Sequence, residues 1–242
     1  MGRQIDFNCD MGESFGMYKM GFDEEVIKYI SSANIACGFH AGDPMWMRRT
    51  VNLAEENDVG IGAHPSYPDL NGFGRRNMNA DPEEVRNDVV YQAGALKAFT
   101  SSKRLQHVKP HGAMYNQAVN DDRLATAICE AVLEIDEDTI LLALSGSKWI
   151  YIAESLGMRV AKEVFADRAM NNDGTLVSRS IEGSVIHDTN LVVERSIRMV
   201  TEGKIETITG DLIEVEADSI CCLLYTSPSP RDGLLCRMPS YA

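Results

Sequence analysis

A chain of 242 residues, 44% hydrophobic and 24% charged, has the make-up of a globular protein and is long enough for one α/β barrel or two small domains. Its formal net charge of −13, with no basic tract to offset it, argues against nucleic-acid binding. No apolar run reaches the roughly 18 residues of a spanning helix, so no membrane segment is expected. The residues from Met1 lead at once into a strand-like run, leaving no room for a signal peptide, and a cytoplasmic location is expected. The six cysteines form no Cys-x-x-Cys pair, so neither a structural zinc site nor disulfides are indicated.

In chain order, strand-like runs alternate with helical patterns. The first run, 4–8, carries Asp6 and Asn8 on one face and leads through Asp10 to Gly12 and Glu13. A helix is expected over 23–31. The run 33–37 passes into Gly38, Phe39 and His40, and then Asp43-Pro44 opens a helix over 44–58 as N-cap and first residue. The run 59–63 ends in His64-Pro65, followed by a loop over 65–79 that carries Arg75 and Arg76. Asp81-Pro82 opens the helix 81–100. The run 106–109 ends in Lys109-Pro110-His111-Gly112, with Asn116 just beyond. Helices over 121–134 and 147–156 flank a run at 139–144. The run 159–165 ends in Asp167-Arg168, followed by a second long loop, 169–184. A helix over 188–202 and a run at 218–222 complete the pattern.

Strand then helix, repeated about seven times, implies a parallel sheet. Polar residues stand at nearly every strand end rather than at one switch point, which favours a closed or nearly closed barrel over an open sheet. The expected domain is one α/β barrel over 1–222. Residues 223–242 lack periodicity, carry turn formers, and are expected to be a non-native or disordered tail.

Each strand-end residue also has a structural reading. Asp6 and Asn8 could be capping residues, Arg75-Arg76 a solvated loop pair, and Asp167-Arg168 a structural ion pair. His107 and His187 are read as structural. Cys9, Cys37 and Cys221 are read as small strand residues, with a nucleophilic Cys37 near His40 as the alternative.

Long motifs in matching order resemble the LamB/YcsF family. They are Asp6 to Gly16, Asn34 to Pro44, Gly62 to Asp69, Gly72 to Arg76, Val108 to Asn116, Phe165 to Arg168 and Gly174 to Arg179. The resemblance covers residues 4 to about 221. It implies a seven-stranded TIM-like barrel of the glycoside hydrolase/deacetylase type. It also implies conversion of 5-oxoproline to glutamate coupled to ATP hydrolysis, in a complex with B and C subunits. One departure stands out. Ser219-Ile220-Cys221 is followed by Cys222-Leu223-Leu224, where the family continues with Val-His-Gly-Asp and a final helix. Barrel closure and one pair of strand-end groups are therefore expected to suffer, giving an atypical C-terminal end.

Opening a lactam through phosphorylation of its amide oxygen needs cations for phosphate, a base for water and donors for the oxyanion. Asp10, Glu13, His40, His64, Lys109 and His111 are the candidate catalytic residues. Asp6, Asn8, Arg75, Arg76, Asn116, Asp167 and Arg168 are the candidates for substrate or phosphate binding. ATP, with Mg²⁺, is the expected co-substrate, although no Walker-type loop is present, and no organic cofactor is expected. No resident metal is expected either; Asp10, His64 and His111 are the ligand types that a related barrel deacetylase would use. The competing functions are a metal-dependent deacetylase or amidohydrolase, and a non-catalytic ligand-binding component of a complex.

Overall fold

A computed structural model describes residues 4–221. Seven strands close a parallel barrel: β1 (Asp6–Met11), β2 (Ser32–Ala36), β3 (Gly60–His64), β4 (His107–Val108), β5 (Ile140–Leu144), β6 (Val160–Phe165) and, last in the ring, β9 (Ser219–Cys221). β9 pairs with β6 through Glu163–Ser219 and Phe165–Cys221, and with β1 through Asp6–Ser219 and Asn8–Cys221. The expected defect in closure is therefore corrected. The ring needs only Ser219 to Cys221, which lie upstream of the departure. The expected tail lies outside the described residues.

The helices follow the predicted pattern: α1 (Asp23–Val26, continued by a 3₁₀ turn), α2 (Pro44–Glu56), α3 (Pro82–Phe99), α5 (Asp122–Ile135), α6 (Lys148–Ser155) and α7 (Thr189–Thr201). Asp43, Asp81, Asp121 and Asp188 accept backbone N–H bonds at the openings of α2, α3, α5 and α7, relieving donors that a helix start leaves unpaired. Two features were not expected: the short helix α4 (Gly112–Ala118), and an antiparallel hairpin of β7 (Lys204–Glu206) and β8 (Leu212–Glu214) before β9. No helix among the described residues is long and apolar enough to cross a membrane.

Strand alternation divides the barrel's chemistry. Cys9, Met11, Ala33, Ile35, Ile61, Ala63, Val108, Val164 and Ile220 join one buried apolar cluster with helix residues such as Val51, Val89, Leu96, Ile128 and Trp149. The other parity carries Asp6, Asn8, Asp10, Asn34, His64, His107, Lys109, Glu163 and Ser219, which bond to one another. Barrel interiors are usually filled by branched apolar side chains. Here the interior holds a polar column, and burying it demands that its groups find partners. Gly62 makes room for it: a Cβ there would collide with the His107 ring.

Candidate active site

The column is layered along β1. At the N-terminal end, Asp6 accepts from Ser31 Oγ at 2.5 Å, Ser32 Oγ at 2.9 Å and Ser219 Oγ. Asp6 and Asp10 share a face, but four residues of strand separate them by about 13 Å. Asp6 therefore ties strand starts together and does not belong to the site. One layer up, Asn8 Nδ2 donates to Ser219 Oγ at 2.7 Å and Glu163 Oε1 at 3.1 Å. Its Oδ1 accepts from Asn34 Nδ2 at 2.7 Å and Lys109 Nζ at 3.1 Å. Asn8 is fully engaged and positions Lys109; it has no capacity left for a substrate. His107 donates from Nε2 to Asn34 Oδ1 at 2.7 Å, within the same column.

Lys109 follows β4 and is 3% exposed. Its ammonium meets Glu163 Oε1 at 2.8 Å and Asp10 Oδ1, Asn8 Oδ1 and Cys221 Sγ each at 3.1 Å. Burial alone would lower its pKa, but Asp10, Cys221 and Glu163 outweigh burial and hold it well above the usual lysine value. The second Glu163 oxygen accepts from Tyr115 OH at 2.9 Å, which orients that carboxylate. Asp10 is raised by burial and lowered by His64 and Lys109; the charges win, and its pKa lies well below the carboxylate range.

A second cluster sits beside the first. His64 Nδ1 lies 2.6 Å from the Lys109 carbonyl, and His111 Nε2 lies 2.9 Å from the Phe73 carbonyl. A carbonyl only accepts, so both of these nitrogens carry hydrogen. The remaining nitrogens, His64 Nε2 and His111 Nδ1, face each other at 2.9 Å. Asp10 Oδ2 is 3.4 Å from His64 Nε2. His40 stacks on His111, with ring centroids 3.7 Å apart and planes 3° from parallel, and its Nε2 meets Glu13 Oε1 at 3.2 Å. Burial and the neighbouring Asp10 push the Glu13 carboxyl up to about 8. Burial is also the largest cause lowering His40 and His111 well below the usual histidine value. The 65–79 loop reaches this cluster through Phe73 and Gly74. Gly74 has φ +64°, and a Cβ there would stand 2.8 Å from both His111 and His40.

A cavity of about 600 Å³ opens over these strand ends. Asp10, His64, Lys109, His111, Arg75, Asn116 and Arg168 line it, together with Tyr115, Phe165 and Arg179. Glu13 and His40 lie behind His111. Arg76 is corrected: it leaves the cavity and pairs with Asp69, whose other bonds fix the loop turn at Gly72. Asp167 is fully buried and off the cavity wall. The Arg168 guanidinium donates to the Ser184 and Val177 carbonyls at 3.2 and 2.6 Å, so it ties down the 169–184 loop. Cys37 is buried, its thiol donates to the Ile35 carbonyl at 3.2 Å, and burial pushes it up to about 12, which favours its reading as a small strand residue. Asn34, Tyr115, Glu163 and Arg179 complete the arrangement and were absent from the sequence-based set.

The sequence model of the LamB/YcsF family matches residues 5–223. The chain belongs to this family. It is 57% identical over 220 residues to the A subunit of 5-oxoprolinase from Campylobacter jejuni subsp. jejuni serotype O:6, covering 90% of this chain and 86% of that one. Identity to the proteins of the same name from Pyrococcus horikoshii and Alkaliphilus metalliredigens is 57% and 58%, over the same shares. The crystal structure of a lactam utilization protein from Thermus thermophilus superposes with a TM-score of 0.86 at 45% identity, covering 90% of each chain.

Proposed function

We propose that this chain is the A subunit of a 5-oxoprolinase, which opens 5-oxoproline to L-glutamate with hydrolysis of ATP and works with B and C subunits. The observation that carries the reading is the convergence of Asp10, His64, Lys109 and His111 on one cavity, in a chain 57% identical to proteins of that name. The lactam oxygen takes the γ-phosphoryl group and ADP leaves. Water then adds to the activated carbon. The C–N bond breaks, the nitrogen takes a proton, and a second water releases phosphate from the acyl phosphate.

Arg75 and Arg179, on the cavity wall, supply positive charge for phosphate oxygens. Lys109 sets the potential of the cavity floor while holding Asp10 ionised. His64 and His111 hold imidazoles on the cavity wall, where water has to be activated. Asn116, exposed on α4, is placed to contact the substrate. The test is glutamate release from 5-oxoproline and ATP, measured with the chain alone and with the B and C subunits. Release that needs all three supports the reading. Equal release when this chain is omitted overturns it.

A further inference from the structure

The histidine cluster poses an electrostatic problem that the protein atoms alone leave open. The Lys109 and Phe73 carbonyls fix the hydrogens of His64 on Nδ1 and of His111 on Nε2. With both rings neutral, two lone pairs point at each other across 2.9 Å. Uncompensated lone pairs at that distance repel, so a positive centre belongs between or beside them. Glu13 extends the problem. Its Oε1 lies 3.9 Å from His111 Nδ1, and its Oε2 is buried with no hydrogen-bond partner among the described residues. Asp10 adds a carboxylate oxygen 3.4 Å from His64 Nε2, while its other oxygen is occupied by Asn34 and Lys109.

We propose that His64 Nε2, His111 Nδ1 and Glu13 bind one first-row divalent transition ion of the Zn²⁺ class, with Asp10 as the adjoining negative charge. The proposal stands on this geometry and engages two imidazoles that the proposed reaction also uses, so it is tested by binding and not by turnover. Ligands about 2.0–2.2 Å from an ion are separated from one another by roughly 3.0–3.5 Å, and the cluster's spacings bracket that range. The outer contacts are those that orient ligating side chains: a backbone carbonyl on each far histidine nitrogen, and a lysine and an amide on the far Asp10 oxygen. Two imidazoles with carboxylate select a transition ion over Mg²⁺ or Ca²⁺, which prefer oxygen ligands.

His40 is close enough to be a ligand, since its nitrogen lies with a Glu13 carboxylate oxygen and the nitrogens of His64 and His111 inside a 4.8 Å cluster. The stack excludes it. With His40 and His111 parallel at 3.7 Å, an ion in the plane of one ring lies well out of the plane of the other. His64 and His111 meet at 88°, which lets one point lie in both planes. A third proton shared by His64 and His111 would quiet that pair but would leave the buried Glu13 oxygen unexplained.

The test is titration of the chelator-treated full chain with Zn²⁺ by calorimetry and with Co²⁺ by visible absorption. The expected result is one ion per chain and a Co²⁺ spectrum typical of mixed nitrogen and oxygen ligation. His64→Gln and His111→Gln abolish the one-to-one binding. His40→Gln keeps the stoichiometry and spectrum while losing roughly 10–100-fold in affinity as an outer partner of Glu13. His187→Gln, away from the cluster, changes nothing. The parent titration stands even if a cluster variant fails to fold. Absence of one-to-one binding by the folded parent, or binding that survives in folded His64→Gln and His111→Gln, overturns the proposal. So does a proton bridge seen by imidazole ¹⁵N resonances that added ion leaves unchanged.

Discussion

Two polar clusters lie side by side in the barrel, and they differ in how completely they are satisfied. Around Lys109, the cation has two carboxylates, an amide oxygen and a thiol; Asn8, Asn34 and Tyr115 hold those partners in turn. Around His111, two imidazole nitrogens that no carbonyl engages face each other, and Glu13 Oε2 and His40 Nδ1 lack hydrogen-bond partners among the described residues. A saturated buried network fixes positions and resists change, whereas a partly satisfied one needs something from outside. The Lys109 cluster is accordingly the rigid floor, and the histidine cluster is the part of the candidate site left open to a ligand.

The largest effect expected from this contrast is on Lys109. Lys109→Met removes the cation and leaves Asp10 and Glu163 buried together, which costs about 3–5 kcal/mol and also activity. Denaturant unfolding of parent and variant measures it, and equal midpoints would show that the floor is not held by charge. His64→Gln or His111→Gln should behave in the opposite way. Turnover by the assembled complex falls by about 10²–10⁴-fold, while stability changes by only about 1 kcal/mol. If either variant unfolds as readily as Lys109→Met, the division between floor and chemistry fails. A smaller contrast separates neighbours on the loop. Arg75→Ala should raise the KM for ATP by roughly 10–100-fold, the loss of a charged hydrogen bond. Arg76→Ala, committed to Asp69, should leave KM near the parental value. Steady-state kinetics of the two variants decides the matter.

Much of this was legible from the sequence because short apolar runs ending in His, Lys or Asp declare both a strand and its functional end. All seven barrel strands coincide with strand-like runs of the sequence, and five of those runs carry such a polar end. Height along a strand was harder to read. Asp6, Asn8 and Asp10 share one parity, and parity tells the face but not the layer. Only the pairing of Asp6 with Ser219 and of Asp10 with Asn34 puts the first at the base and the last in the site. Glu163 was missed because it sits within a strand rather than at its end. A charge in phase with Phe165, in a run otherwise read as buried, was the available signal. Tyr115 rides on α4, whose seven residues begin without a side-chain cap. The hairpin of β7 and β8 has strands of three residues, too short for alternation to register.

The finest expected effect lies under the histidine cluster, at the turn that delivers Glu13. Gly12 adopts φ +69°, and its N–H donates to Asp23 Oδ2 at 2.9 Å. Burial, opposed by that bond and reinforced by Glu13, pushes the Asp23 carboxyl from 3.8 up to about 6. Between those values the folded chain binds more protons than the unfolded one, so stability falls as pH rises through this window. Above about pH 6 the penalty is fully present. Asp23→Asn keeps an acceptor for Gly12 and carries no charge. The variant should match the parent near pH 4 and exceed it at pH 7 by on the order of 1 kcal/mol, the linkage value being discounted for partial exposure. Unfolding midpoints across about pH 4 to 8 measure the difference. Parallel profiles for the two chains would mean that the turn beneath the cluster carries no electrostatic strain. The partly satisfied region would then be confined to the histidines and Glu13.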